Sequence, residues 1–341
     1  MKFAIDAMGG DNAPQAVVSA AVKAATTHPE DTFLLFGDQT QIQALLTDEW
    51  PQNLVIEATT EVIATGEEPV RAVRRKKDAS MVRAARAVKE GRADALISAG
   101  NTGALLTVAT LIVGRVRGVE RAAVMVEVPN LKRVGETMTY LDAGANAESK
   151  PNYLWQYAIM GQAYQRLVKH QENPRIGLLN NGTEAEKGSP LTKEAHQLLA
   201  ADDTLNFIGN VEARDLLNDA CEVLVTDGFT GNAALKATEG AIDTFTRALK
   251  SLFLNNGWRG KLGGLLMKGL LKQYMSKVDY ESIGGGLFMG VKQPVLKAHG
   301  NAEAKSIYAT IEQARTIVAT DLYGQLERIF AKRYAQAKAQ Q

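Results

Sequence analysis

The sequence predicts an α/β fold, in which helices cover a mostly parallel β-sheet, and two observations support this class. Short apolar runs alternate with longer segments of helical pattern along most of the chain, as in parallel strands joined by helical crossovers. Hydrophobic residues make up 45% and charged residues 23% of the 341 residues, which is enough for a sizeable core. No linker-like segment or short repeat interrupts this pattern, so we expect one compact unit over residues 1–341.

The predicted strands are short and apolar. They are Phe3–Ile5, Phe33–Phe36, Leu54–Glu57, Ala95–Ile97, Ala122–Val128, Met138–Leu141, Ile176–Leu179, Asn206–Ile208 and Val223–Thr226. Beyond Thr230 the pattern is helical to about Lys277, and residues 245–280 are predicted to form a helical hairpin excursion. A glycine-rich loop follows at Gly284–Gly286, and one final helix is predicted from about Asn301 to Ala335.

The bulk composition argues against several classes of protein. The formal net charge of +1 does not suit a general binder of nucleic acid. The sequence has one cysteine, Cys221, so it can form neither an internal disulfide nor a cysteine-based zinc site. The N-terminus lacks the apolar segment of a secretory signal, and no uncharged apolar run approaches the roughly 20 residues that span a membrane. We therefore expect a cytoplasmic protein.

Five loops that follow predicted strands are rich in glycine, asparagine and threonine. They are Asp6–Asn12, Ser98–Gly103, Leu141–Asn146, Leu179–Thr183 and Thr226–Asn232. Because the carboxyl ends of parallel strands share one edge of a sheet, we expect the five loops to meet there. Glycine lets the backbone approach a ligand, and free N–H groups at a helix start attract an anion. Turn formation would explain any one loop, but together they predict a cradle for phosphate or a carboxylate.

The candidate anion-binding residues are small residues of these loops and one histidine before a predicted helix start. They are Gly9, Gly10, Asn101, Thr102, Gly103, Asn181, Gly182, Gly228, Thr230 and His299. Four acids in the loops would repel phosphate, so we expect them to orient the loops by accepting N–H bonds or by capping helices. These acids are Asp6, Asp11, Asp142 and Asp227. No metal or cofactor is expected, because the histidines show no metal-ligand spacing. A Mg²⁺ site at the acids is a minor alternative, since they have no assigned ligand spacing.

Motifs of other enzyme classes are missing from the sequence. No G-x-G-x-x-G follows the first strand, and no G-x-x-x-x-G-K-[ST] occurs, which argues against a dinucleotide enzyme and a P-loop NTPase. No G-x-S-x-G provides a serine nucleophile, and Cys221 at the start of an apolar strand fits a small buried residue.

Taken in order, the loops resemble the acyl-ACP:phosphate acyltransferases of bacteria, also called the PlsX family of fatty acid/phospholipid synthesis proteins. The matching segments are Asp6–Asp11, Ser98–Ala104, Leu141–Asn146, Gly177–Gly182, Gly209–Glu212 and Thr226–Asn232. Ile283–Gly290 departs from the family's usual Gly-Gly-Ala-Pro-Leu-Leu-Gly run. The resemblance implies a homodimer with a fold like those of isocitrate and isopropylmalate dehydrogenases and phosphotransacetylase.

The same resemblance implies a reaction. An acyl group passes from acyl carrier protein to inorganic phosphate, and the acyl phosphate then serves a membrane glycerol-3-phosphate acyltransferase in phospholipid synthesis. Lys187 and Asn232 match residues that act in the family's site. Phosphate is already an oxygen nucleophile, so the reaction needs charge neutralisation and positioning, which a lysine and an asparagine amide can supply. Without the resemblance, an exposed loop lysine and a helix cap would explain both residues.

The segment between Thr244 and Val278 contains seven basic residues and no acid, and Lys268 and Lys272 are among the basic ones. Its apolar residues recur every fourth position, as on one face of a helix. They include Trp258, Leu262, Leu266 and Leu270. Two interpretations remain open, namely contact with an anionic membrane or the acidic acyl carrier protein, and a helix at a dimer interface. The family resemblance adds peripheral membrane association.

Three other functions are alternatives. A short-chain phosphotransacetylase would use acyl-CoA in place of acyl carrier protein. A dehydrogenase would need a nicotinamide site and a metal-binding carboxylate cluster, and the sequence offers neither. A non-catalytic adaptor at a lipid surface would bind liposomes without consuming acyl thioester.

Overall fold

The computed structural model describes residues 1–46, 49–277 and 284–339, and the side chains of these residues except 271–277 and 337–339. The described strands are β1 (Lys2–Asp6), β2 (Thr32–Gly37), β3 (Leu54–Ala58), β4 (Ala95–Ser98), β5 (Ala123–Pro129), β6 (Thr137–Leu141), β7 (Arg175–Asn180), β8 (Asn206–Glu212), β9 (Val223–Val225), β10 (Gly286–Met289) and β11 (Val295–Lys297). The described α-helices are α1 (Gln15–Thr27), α2 (Gln39–Gln43), α3 (Pro69–Arg75), α4 (Ser80–Lys89), α5 (Thr102–Val108), α6 (Pro151–Leu167), α7 (Pro190–Ala200), α8 (Gly228–Asn255), α9 (Gly257–Lys277), α10 (Ala304–Ala319) and α11 (Leu322–Ala339).

The strands form one sheet of order β3-β2-β1-β4-β11-β10-β5-β6-β9-β7-β8. The five strands from β3 to β11 in this order are mutually parallel, and so are the four from β6 to β8. Three antiparallel pairings, β11–β10, β10–β5 and β5–β6, separate these two blocks. The sheet is therefore mostly parallel, and the predicted fold class is confirmed.

The expectation that all five glycine-rich loops share one edge is wrong, because the odd number of antiparallel pairings makes the two blocks run in opposite directions. The strand ends meet near the middle of the sheet instead. Ser98, at the end of β4, is linked by strand pairing across β11 to Gly286 of β10. Leu141, at the end of β6, is linked in the same way across β5 to Leu287 of β10. Because Gly286 and Leu287 are neighbours in β10, the ends of β4 and β6 are offset by one residue along the sheet.

Apolar strand residues and helix faces form the core. Phe3 of β1 stacks on Phe33 of β2 with ring centroids 5.5 Å apart. On the other block, the fully buried Tyr140 of β6 donates its hydroxyl hydrogen to the carbonyl oxygen of Gly231 in α8, 3.0 Å away. Helices α4, α6 and α10 pack directly on the sheet, and α1 packs on α10. This packing fixes where the strand ends place their loops.

The C-terminal segment forms two helices, α10 and α11, where one was predicted. Asp321 lies between them with a φ of 51°, in the left-handed region that a continuous right-handed helix does not contain. No composition signal such as proline marks this break, so helical periodicity alone did not reveal it.

The predicted helical excursion is present as the hairpin of α8 and α9, which we call the α8–α9 hairpin, and residues 278–280 of the predicted range lie outside the described residues. Helix α8 starts at Gly228 rather than near residue 245, and α9 follows after Asn256. Gly260 and Gly264 of α9 face Phe253 of α8, so the absence of side chains there lets the two helices approach. Among the described residues, no helix combines the length and apolarity required to cross a membrane.

Substitution of two glycines of α8 tests how tightly this helix packs against its neighbours. A Cβ at Gly231 would lie 2.1 Å from the carbonyl oxygen of Asp142, whereas a Cβ at Gly240 would meet nothing within 4 Å. We predict that Gly231→Ala lowers the free energy of unfolding by about 1–3 kcal/mol through overpacking. Gly240→Ala should raise it by up to about 1 kcal/mol through helix propensity. Urea unfolding measures both, and equal effects would contradict this packing.

Candidate active site

A cavity of about 200 Å³ lies where the two blocks of the sheet meet. We call it the junction cavity. Three predicted site residues line it from different elements, Thr102 at the start of α5, Asn232 in the first turns of α8, and His299 after β11. Alternate residues of β5, Val124 and Val126, form part of its wall. The junction thus brings residues of opposed strand ends to one site.

The first loop is held by Asp6, which is buried at the end of β1. Its carboxylate accepts bonds from the hydroxyls of Ser80 and Ser98, each 2.6 Å away, and burial raises its pKa. A Cβ at Gly9 would lie 2.7 Å from the backbone nitrogen of Gly100, so the loops after β1 and β4 are in close contact.

The first loop also contacts the segment after β11. The N–H of Asp11 donates to the carbonyl oxygen of Gly300 at 2.7 Å, and the amide of Asn12 donates to that of Asn301 at 3.0 Å. Gly10, with a φ of 102°, allows the chain to turn here. His299, which precedes this segment, is exposed and lines the junction cavity.

Asn101 is buried and its side chain is fully engaged. Its amide donates to the carbonyl oxygen of Thr65 at 2.8 Å, and its Oδ1 accepts the N–H of Ala104 as the cap of α5. Gly103 lies against Pro69, where a Cβ would be 2.6 Å from the ring. Asn101 and Gly103 therefore shape the loop, and Thr102 is its member that lines the junction cavity.

Asp142 is the most heavily bonded carboxylate of the site. It is buried and accepts the backbone N–H groups of Val124, Gly144, Ala145 and Asn146 at 2.8–3.0 Å. Burial raises its pKa, while these bonds favour the charged form. The carboxylate therefore joins strand β5 to the loop after β6.

The start of α8 lies against this same loop. Asp227 caps the helix by accepting the N–H groups of Phe229 at 3.1 Å and Thr230 at 2.8 Å. A Cβ at Gly228 would lie 2.4 Å from the carbonyl oxygen of Asn146, so the contact requires glycine. This packing places Asn232, one turn into the helix, at the junction cavity.

The fourth loop follows β7 and carries Lys187. Because β7 and β9 are parallel neighbours in which Leu178 pairs with Val225, this loop emerges beside the start of α8. Asn180 closes the loop by donating its amide to the carbonyl oxygen of Lys187 at 3.1 Å. Asn181 and Lys187 are exposed and Gly182 is buried. None of these last three residues lines the junction cavity.

Sequence reasoning missed Lys297, which lines the junction cavity at the end of β11. Its Nζ donates to the carbonyl oxygens of Ala99, at 3.0 Å, and of Ala298. Burial lowers its pKa to about 8, against the opposing effect of the charges of Asp6 and Asp11. The sequence did contain a signal for this residue, because a lysine ends an apolar strand just before a loop that contains glycine.

Two other features contain none of the predicted site residues. A hollow of about 820 Å³ lies between α6 and α11 and is lined by Trp155 and Tyr334 among others. In the described ranges, one group of side chains has its ligand atoms close enough together to hold a metal ion, namely His28, Glu30 and Asp31. The guanidinium of Arg315 contacts all three, so it already supplies their cation.

The α8–α9 hairpin presents its apolar residues to solvent. Trp258 and Leu266 are each 71% exposed, Leu270 is 63% exposed and Leu262 is 48% exposed. Lys268 is exposed on the same helix, while the side chain of Lys272 lies outside the described residues. Several large apolar side chains exposed on one helix are typical of a contact surface.

Solved structures share this fold. A phosphotransacetylase from Streptococcus pyogenes superposes with a TM-score of 0.61 at 17% identity, over 94% of each chain. A branched-chain phosphotransacylase from Enterococcus faecalis V583 gives a TM-score of 0.58 at 16% identity, over 93% of this chain and 99% of the other. The predicted likeness to the phosphotransacetylase fold is confirmed.

Sequence relatives are much closer. A phosphate acyltransferase of Ligilactobacillus salivarius is 49% identical over 331 residues, which are 97% of this chain and 99% of the relative. A phosphate acyltransferase of Enterococcus faecalis is 50% identical over 326 residues, 96% of this chain and 97% of the relative. The family model described as "Fatty acid synthesis protein" matches residues 1–324. The resemblance drawn from the loops is thus confirmed, and the chain belongs to this fatty acid synthesis protein family.

Proposed function

We propose that this protein is an acyltransferase that moves a fatty acyl group from acyl carrier protein to inorganic phosphate, forming an acyl phosphate for phospholipid synthesis. The observation that carries the proposal is the 49% identity to a phosphate acyltransferase over 97% of the chain. The junction cavity supports it, because residues of three predicted loops, Thr102, Ala143 and Asn232, line a space of about 200 Å³.

In the proposed reaction, a phosphate oxygen attacks the thioester carbonyl carbon. A C–O bond forms, the C–S bond breaks, and the thiol of the carrier protein leaves with a proton. No enzyme nucleophile is required, so the protein contributes by positioning phosphate and stabilising the developing oxyanion. Asn232, which lines the junction cavity, can donate its amide to that oxyanion.

Lys187 is proposed to act as a cation from the neighbouring loop. It is exposed, and its loop emerges beside the start of α8, which carries Asn232. A lysine on such a loop can bring a compact positive charge towards an anionic substrate as it binds. Thr102 in the cavity wall adds a hydroxyl that can donate to phosphate.

We also propose that the α8–α9 hairpin brings the enzyme to the cytoplasmic face of the membrane, as part of a homodimer. Its exposed apolar residues can enter the headgroup region, and basic residues such as Lys261 and Lys268 can bind anionic lipid. This location would deliver acyl phosphate close to a membrane glycerol-3-phosphate acyltransferase.

The donor assay tests the proposed function directly. Incubation with phosphate and long-chain acyl-ACP should yield acyl phosphate and free carrier protein, in amounts that depend on phosphate. Acyl-CoA offered at the same concentration should react more slowly. A preference for short-chain acyl-CoA would favour a phosphotransacetylase, and binding of liposomes without loss of thioester would favour an adaptor.

Lys187→Ala should reduce turnover by about 10²–10³-fold, in line with loss of one key electrostatic group. Lys193→Ala is the matched control, because Lys193 is another exposed lysine close by in α7. Initial rates of acyl-phosphate formation measure both variants. A folded Lys187→Ala protein with the rate of the Lys193→Ala protein would remove Lys187 from the mechanism.

The membrane proposal predicts that the Leu266→Glu/Leu270→Glu double variant loses binding to vesicles of anionic phospholipid by at least about tenfold, since burying each leucine is worth about 1.5–3 kcal/mol. Leu198→Glu is the control, because Leu198 is 41% exposed on α7, away from the hairpin. Co-sedimentation measures binding and light scattering measures the oligomeric state. Unchanged sedimentation together with dissociation of a dimer would assign the hairpin to the dimer interface instead.

A further inference from the structure

We propose that Lys297 is the catalytic-site cation that holds phosphate in the junction cavity. The inference rests on the proposed function and adds the residue that would bind the acceptor substrate. Two lysines line this cavity, Lys236 and Lys297, and they differ in the partners that their side chains have.

Three other charged side chains of the wall, those of Lys236, Glu239 and Glu127, are engaged with protein partners. Lys236 forms an ion pair with Glu239 at 2.7 Å. Glu127 is buried, accepts the hydroxyls of Thr137 and Tyr164, and pairs with a lysine outside the cavity lining. Neither the Lys236–Glu239 ion pair nor Glu127 can supply net positive charge to a phosphate dianion.

Three backbone donors at the two helix starts are engaged by caps. The Oδ1 of Asn101 accepts a hydrogen bond from the N–H of Ala104 at the start of α5. The carboxylate of Asp227 accepts hydrogen bonds from the N–H groups of Phe229 and Thr230 at the start of α8. A phosphate in the junction cavity cannot use these three N–H groups without displacing the caps, and a side-chain cation in the wall would neutralise its charge.

The position of Lys297 suits this role. Its Nζ donates hydrogen bonds to the carbonyl oxygens of Ala99 and Ala298. These two residues lie shortly before Thr102 and His299 in the chain, and Thr102 and His299 both line the cavity. An ammonium has three N–H donors, and these two bonds leave one for a ligand. Within the described ranges Lys297 forms no ion pair, although the charges of Asp6 and Asp11 act on it.

The surroundings of Lys297 explain why an anion would bind there. Burial of a lysine is costly unless an opposite charge accompanies it. The charges of Asp6 and Asp11 act on Lys297, but the two carboxylate oxygens of Asp6 accept the hydroxyls of Ser80 and Ser98, and the bonds of Nζ go to backbone carbonyl oxygens. Phosphate would provide a counter-charge in direct contact with Nζ and stabilise the protonated lysine. The bonds to Ala99 and Ala298 would keep Nζ fixed while the substrate exchanges.

Lys297→Met tests the proposal in the intact enzyme. We expect the KM for phosphate to rise at least about tenfold, and kcat/KM for phosphate to fall on the order of 10²-fold, with the KM for acyl-ACP within about twofold of wild type. Lys292→Met is the control, because Lys292 is an exposed lysine in the turn between β10 and β11. A folded Lys297→Met enzyme with an unchanged KM for phosphate would overturn the proposal, whereas a purely structural role would alter both KM values together.

A labelling experiment on the wild-type protein decides the matter if the variant does not fold. Trace acetylation with acetic anhydride, followed by mass spectrometry, measures the reactivity of each lysine with and without inorganic phosphate. Phosphate should protect Lys297 several-fold and leave Lys292 unchanged. Equal labelling of Lys297 in both conditions would reject the inference. Because no acyl donor is present, this result is independent of whether the protein forms acyl phosphate, so failure of the proposed function is recognised separately.

Discussion

The buried carboxylate of Asp142 is the interaction on which the site depends. It accepts four backbone N–H groups and so connects β5 to the loop after β6. The N–H of Asp142 also donates to Thr226, just before α8. Loss of the carboxylate would leave several buried donors without an acceptor, each costing about 1–3 kcal/mol. Because α8 packs against this loop through Gly228, the position of Asn232 follows from these bonds.

The opposed directions of the two strand blocks create the junction cavity. A sheet with all strands parallel would place its loops along one edge, whereas here the ends of β4 and β6 approach each other across β11, β10 and β5. One block contributes Thr102 and Lys297 and the other contributes Asn232. Substrates held between them would contact both blocks, which suits a reaction that must bring two molecules together.

The sequence predicted strands β1 to β9 and the glycine-rich loops because short apolar runs and turn residues are local signals, but it did not predict β10 and β11. The direction of the second block was not predictable in this way, since strand pairing depends on contacts far apart in the chain. Lys297 was missed for the same reason: its burial beside Asp6 arises only when β11 inserts next to β4. Asn101 is a predicted ligand-binding residue, and the bonds of its side chain to Thr65 and Ala104 depend on the fold and were not visible in the sequence.

A crystal structure of the protein with bound inorganic phosphate would test the central claim most directly, that the acceptor substrate is held where the two blocks meet. The account predicts density for phosphate in the junction cavity, within hydrogen-bond distance of the Nζ of Lys297 and close to Asn232. Phosphate bound only in the hollow between α6 and α11, or on surface lysines, with the junction cavity empty, would contradict it.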